Sequence, residues 1–194
     1  MKKLICTIIV VVLTFQLIAQ EMPKGLNVSD DAPSFSAIDQ NGTLVELKDL
    51  LNKGSVVMVF YRGQWCPYCN KQLSALTDSL SFIEKKGGQL IAISPEMPEN
   101  IIKTITKTKA SFPILYDEDL KIMNSYNVTF AVDEKTIVKY KTYGIDFETA
   151  NGSNGANLPV PAVYIISKEG KIIYKYFDTD YKKRPSVAEI LSHL

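Results

Sequence analysis

The sequence predicts an α/β chain: a central mixed β-sheet with helices on both faces and a short β-hairpin ahead of it. Three observations predict this. Strand-like and helix-like segments alternate through most of the chain. Two of the strand segments, "SVVMVFY" (55–61) and "QLIAIS" (89–94), are near-continuous apolar runs, as a strand buried on both faces requires. Near the end, two strand segments are joined by the short turn "KEGK", which adds an antiparallel hairpin to a sheet that begins as parallel β-α-β.

The elements follow in order. "APSFSAIDQNGTLVELKDL" (32–50) reads as a strand, an Asn41-Gly42 turn, a second strand and a helical turn. After the first buried strand, Pro67 opens a helix. Cys69, Leu73, Leu76, Leu80 and Ile83 form one apolar stripe at the helical period, and Gly87-Gly88 ends it. A second helix is expected over 97–110, with Ile101, Ile102 and Ile105 on one side. "FPILYD" (112–117) is a strand, and the helix after it stops near Asn127. Residues 133–144 read as helical, and 151–157 ("NGSNGAN") as a loop of turn residues. "VPAVYIIS" and "IIYKYF" make the hairpin. The final helix starts at Ser186, three residues before Glu189, which is capping-box spacing.

The N-terminus is a basic Met1-Lys2-Lys3 followed by a 16-residue apolar run, "LICTIIVVVLTFQLIA". A membrane span needs about 20 such residues. The pattern predicts a signal peptide over 1–20, an exposed segment over 21–31 and one domain over 32–194. It predicts export, to the periplasm of a bacterium. Leu17 at the −3 position is not a small residue, so an uncleaved anchor is the other reading, and membrane attachment is expected only in that case. Beyond Lys2 and Lys3 the charges nearly balance, at 20 basic and 21 acidic residues. That excludes a nucleic-acid footprint.

The chemistry centres on "FYRGQWCPYC" (60–69). A Cys-x-x-Cys pair can be half of a zinc site, but zinc needs four N or S ligands. The chain has no second pair and a single histidine, His193, so neither a metal nor another cofactor is expected. A structural disulfide across so short a loop contributes little through chain entropy. Redox chemistry explains the pair better. The buried strand runs into the helix at Cys66, near unsatisfied N–H groups and the positive end of the helix dipole. Arg62 adds charge four residues earlier, and Pro67 starts the helix without losing a hydrogen bond. These features lower a thiol pKa. Cys66 is therefore the expected attacking thiolate and more acidic thiol, and Cys69, on the apolar face, the resolving one. Trp65 is expected to cover one side of the site or to pack plainly. Asp146 and Glu148 are candidate proton relays or solvated acids.

Strand-W-C-P-x-C-helix, followed by a late proline before a hairpin, resembles the thioredoxin fold. Pro161 in "LPVPAVYII" matches that fold's cis-proline, so a cis Val160–Pro161 bond is implied. From about Ala32 to Phe177, the segments "VMVFYRGQWCPYC", "LIAISPE", "FPILYDEDLKIMNSYNV" and "VPAVYIISKEGKIIY" are more closely similar to the AhpC/TSA, or peroxiredoxin-like, branch. That resemblance implies a peroxide substrate and a thiol electron donor such as a thioredoxin-like protein. Typical members carry P-x-x-x-T-x-x-C. Here Gly63 stands in the Thr position, and the arginine brought from the later strand has no match, which leaves Arg62 as its candidate substitute. Three functions are compatible: a thiol peroxidase, an exported thiol–disulfide oxidoreductase acting on protein disulfides, and a silent binding module.

Overall fold

A computed structural model describes residues 22–194. The expected signal peptide lies outside the described residues. The elements are β1 (Ser36–Ile38), β2 (Leu44–Glu46), α1 (Leu47–Lys53), β3 (Ser55–Phe60), α2 (Pro67–Asp78), α3 (Leu80–Lys85) and β4 (Gly88–Ser94). They continue with α4 (Pro98–Thr108), β5 (Ile114–Tyr116), α5 (Lys121–Ser125), β6 (Thr129–Ala131), α6 (Glu134–Thr142) and α7 (Phe147–Asn151). The last are β7 (Asn157–Pro159), β8 (Ala162–Ile166), β9 (Ile172–Phe177) and α8 (Val187–Ser192).

The main sheet has the order β5-β4-β3-β8-β9. The β3–β4 and β4–β5 pairs are parallel, and β3–β8 and β8–β9 are antiparallel. The strand "SVVMVF" is thus central, and its alternate residues face opposite layers. Val56, Met58 and Phe60 pack with Ile93, Tyr164, Met123 and Tyr126 on one face. Val57, Val59 and Tyr61 pack with Cys69, Leu73, Leu76, Ile101 and Ile190 on the other. The cysteines therefore belong to the layer of α2, α4 and α8. Residues 25–31 run along β9 through Ser29 N–H to Ile172 O (2.8 Å) and Ile172 N–H to Asp30 O (3.0 Å), which covers a sheet edge.

The expected single helix from Pro67 is two. Ser79, at φ −107° and ψ 4°, ends α2 and begins α3. The bend seats Ile83 against Gly88, where a Cβ would lie 2.9 Å from Ile83 Cγ2. The expected loop over 151–157 is also partly ordered. Asn151, which ends α7, and Asn154, in the short 3₁₀ turn that follows, are buried, and Asn154 Nδ2 donates to Pro95 O (2.9 Å) and Asp117 O (3.0 Å). The turn leads into β7, which pairs with β6 as a separate ribbon. The final helix starts as its capping box predicts, with Glu189 N–H donating to Ser186 Oγ (3.1 Å).

Candidate active site

The site is built where β3 runs into α2. Cys66 is the N-cap of α2, at φ −87° and ψ 108°, and Pro67 is in its first turn. Cys66 N–H donates to Gly63 O (3.0 Å) and closes the loop between strand and helix. One turn on, Cys69 points from the apolar stripe toward Cys66. Both are free thiols with their sulfurs 2.6 Å apart. Cys66 is 1% exposed and Cys69 0%.

Two guanidinium groups serve this pair, and neither forms an ion pair with a carboxylate among the described residues. Arg62 is 3% exposed, lies 4.9 Å from the Trp65 ring centre and 4.3 Å from that of Tyr181, and donates to Tyr140 Oη. Its Nε has no partner. Arg184 reaches in from the β9–α8 connection, with Nη2 3.3 Å from Cys69 Sγ. The expected acidity is reversed, chiefly by the hydrogen bond between the two sulfurs and secondly by the Arg184 charge. Burial opposes a Cys69 thiolate, but the hydrogen bond it shares with Cys66 and the charges of Arg184 and Arg62 outweigh it and bring Cys69 below the usual thiol range. The same hydrogen bond, together with burial, pushes Cys66 up. The proton shared between the two sulfurs is what separates them, so the first charge belongs to the pair, with Arg184 and Arg62 favouring its placement on Cys69.

Below the loop lies a buried carboxyl group, Glu96. Its Oε2 accepts from Gln64 N–H (2.8 Å) and its Oε1 has no partner. Burial pushes it up to about 8, against the Gln64 hydrogen bond, and the Cys69 charge adds to the rise.

A family model described as "AhpC/TSA family" matches residues 28–175. The chain belongs to the AhpC/TSA family. It is similar to the thiol-disulfide oxidoreductase ResA of Bacillus cereus, with 25% identity over 160 residues, 82% of this chain and 75% of that protein. It is also similar to peroxiredoxin Bcp of Escherichia coli, with 32% identity over 103 residues, 53% of this chain and 65% of that one. Among solved structures, peroxidoxin BcpB from Mycobacterium tuberculosis superposes with a TM-score of 0.65 at 19% identity. That match covers 89% of this chain and 96% of that one and supports the thioredoxin-type fold. This AhpC/TSA chain is accordingly a thiol-dependent oxidoreductase.

The other residues singled out from the sequence fall at different places. Trp65 packs its ring on Tyr140 (centroids 5.2 Å apart) and Phe147 (6.0 Å), beside Arg62. Pro161 shares a cavity of about 220 Å³ with Arg62, Tyr140 and Tyr181. Its peptide bond is trans, since the described residues contain no cis bond, and this corrects the implied cis-proline. Val160 N–H donates to Val128 O (2.8 Å), extending the β6–β7 pairing to the residue before Pro161, and the lower-energy isomer is retained. Asp146 caps α7, accepting from Glu148 and Thr149 N–H at 3.0 and 3.1 Å, and pairs with Lys141. Glu148 is exposed on that helix. The buried carboxyl whose charge opposes that of Cys69 is Glu96. Reading the sequence missed it, although a carboxylate closing the apolar run "LIAISPE" was a usable signal. Arg184 carries no local signal, because it lies 115 residues from Cys69.

Gly63, in the Thr position of typical members, has φ +153°, and a Cβ there would lie 2.6 Å from Trp65 Nε1 and 2.7 Å from Glu96 Oε1. Gly63→Ala is therefore expected to destabilise the reduced protein by about 2 kcal/mol, through a strained backbone and displaced neighbours. Urea denaturation beside Gly42→Ala, whose Cβ meets nothing within 4 Å, checks the steric part.

Proposed function

We propose that this chain reduces peroxides through Cys66, with Cys69 resolving the oxidised sulfur as a disulfide. The observation that carries the reading is the burial of both sulfurs beside a partly unsatisfied guanidinium. A peroxide is small enough to reach a nearly covered thiol, whereas a protein disulfide must bring its own sulfur in line with the attacking one. Arg62, with a free Nε–H, supplies a donor to a peroxide oxygen and to the charge that develops as the O–O bond breaks.

The steps balance. The Cys69 thiolate takes the Cys66 proton as Cys66 Sγ attacks one peroxide oxygen. The O–O bond breaks, and the departing oxygen recovers that proton and leaves as water or an alcohol. Cys66 is now a sulfenic acid. The Cys69 thiolate then attacks Cys66 Sγ, forms the disulfide and expels hydroxide. A thiol donor, such as an exported thioredoxin-like protein, restores the dithiol. Export itself rests on the N-terminal sequence.

Likeness to ResA along most of the chain favours a second reading, exchange with protein disulfides. Purified protein with dithiothreitol and hydrogen peroxide, beside the same protein with insulin, separates the two. The expected result is peroxide consumption at least tenfold above the uncatalysed rate, with little insulin reduction. Rapid insulin reduction without peroxide consumption would reverse the assignment.

A further inference from the structure

The dithiol must be regenerated after every turnover, whichever oxidant is used, and the residues around Cys69 bear on that step. Arg184 is held at four points. Nε donates to Gln72 Oε1 (2.8 Å), Nη1 donates to Tyr181 O (2.7 Å) and Lys183 O (2.6 Å), and Nη2 reaches Cys69 Sγ (3.3 Å). Three of these contacts go to neutral oxygens and only the fourth to a group that becomes an anion. The guanidinium is fixed before the charge appears, so no reorganisation is needed when it does. It also touches only one of the two sulfurs, which makes the pair asymmetric.

We infer that Arg184 stabilises the leaving thiolate when the Cys66–Cys69 disulfide is reduced, and so directs the incoming reductant to Cys66. The step is a thiol–disulfide exchange. A donor thiolate attacks Cys66 Sγ, a donor–Cys66 bond forms, and the Cys66–Cys69 bond breaks. The electron pair leaves on Cys69 Sγ, where the Arg184 N–H receives it. A second donor thiolate then releases the reduced Cys66. Attack at Cys69 would instead expel a Cys66 thiolate, which has no direct guanidinium contact. The better-stabilised thiolate is the faster leaving group. Tyr68 and Tyr181, whose rings meet edge to face 5.8 Å apart, are 37% and 39% exposed, and Tyr181 carries the carbonyl that holds Arg184. The leaving-group contact is thereby tied to the surface around the thiols.

The role rests on the dithiol–disulfide reading and not on the identity of the oxidant. The oxidised wild type, Arg184→Gln and Arg184→Lys would be compared in two measurements without peroxide. One is the rate of disulfide opening by dithiothreitol, read by Trp65 fluorescence or alkylation. The other is the midpoint potential in dithiothreitol redox buffers. Arg184→Gln is expected to slow opening roughly tenfold or more and to shift the equilibrium about tenfold toward the disulfide, about 30 mV more negative. Arg184→Lys is expected to recover part of both changes, because it retains the charge but not the fork. A merely structural role would not track charge in this way. An Arg184→Gln protein that matches wild type in rate and potential overturns the inference. If Arg184→Gln does not fold, an Arg184→Lys protein with slower opening and a potential shifted negative by less than tenfold supports the inference, and values equal to wild type or displaced more than tenfold overturn it. A wild-type protein that forms no reversible Cys66–Cys69 disulfide would instead overturn the redox reading itself.

Discussion

Cys66→Ser should lose peroxide turnover by roughly three orders of magnitude or more, the scale on which removal of a nucleophile leaves only residual catalysis. The serine hydroxyl preserves the helix start and the loop hydrogen bonds, so the loss reports chemistry and not folding. Cys69→Ser should fail differently. Its first turnover proceeds through Cys66, but no partner is left to close the disulfide. Sulfenic acid accumulates on Cys66 and passes to sulfinic acid with excess peroxide. Mass spectrometry after one equivalent of peroxide distinguishes the two, with no adduct in the first variant and an oxygen adduct in the second. Wild-type turnover by Cys66→Ser would sink the assignment of roles. The Cys69 variant also loses the thiolate that accepts the Cys66 proton, so even its first oxidation should be slower than that of wild type at neutral pH.

Glu96→Gln should change how stability depends on pH. Burial raises the Glu96 carboxyl from its ordinary value to about 8, so the native state keeps this proton where the unfolded chain has released it. Stability then falls as pH rises through the window between about 4.5 and 8. The charged and polar groups facing Glu96 are the Cys69 sulfur from α2, Tyr61 just after β3, Thr104 and Lys107 from α4 and the Gln64 N–H. Of these, Lys107 and the hydrogen bonds partly offset the rise. Glutamine keeps an acceptor for Gln64 N–H but does not ionise. Wild type and variant should have similar stability near pH 5 and diverge above it, the variant being more stable by on the order of 2–4 kcal/mol near pH 9. Asp117, pushed up to about 6 by burial, contributes a smaller loss at lower pH in both proteins. Urea denaturation of the reduced proteins at pH 5, 7 and 9 tests this. Parallel profiles would show that Glu96 is ionised in the native state throughout.

The stabilisation expected of Glu96→Gln gives the carboxyl a functional reading. A buried acid whose Oε1 lacks a partner costs stability, and it lies against the loop that leads into Cys66. Such costs concentrate at sites where chemistry is done. The same pattern holds at Arg62, a buried cation with an unused donor.

The sequence by itself determined the parts of this protein governed by short-range rules. A continuous β-branched and apolar run made β3 the central strand. Pro67 after Cys66 placed a cysteine at a helix N-cap, the step of three placed Cys69 one turn inside, and Ser186 with Glu189 marked the last helix. Each depends on groups a few residues apart, where strand pleat, helix period and capping leave few alternatives. The AhpC/TSA resemblance was legible for the same reason, because its segments are these local motifs in order. The tertiary structure alone decided the electrostatics. Arg184 reaches Cys69 across 115 residues and adds to the sulfur–sulfur hydrogen bond that makes Cys69 the more acidic thiol, and Glu96 lies under the loop because β4 is parallel to β3. Tertiary packing also bent the helix at Ser79, paired β6 with β7 and kept Pro161 trans. Charge interactions act through space, with strengths set by distance and burial, and neither quantity is encoded in the neighbours of a residue along the chain.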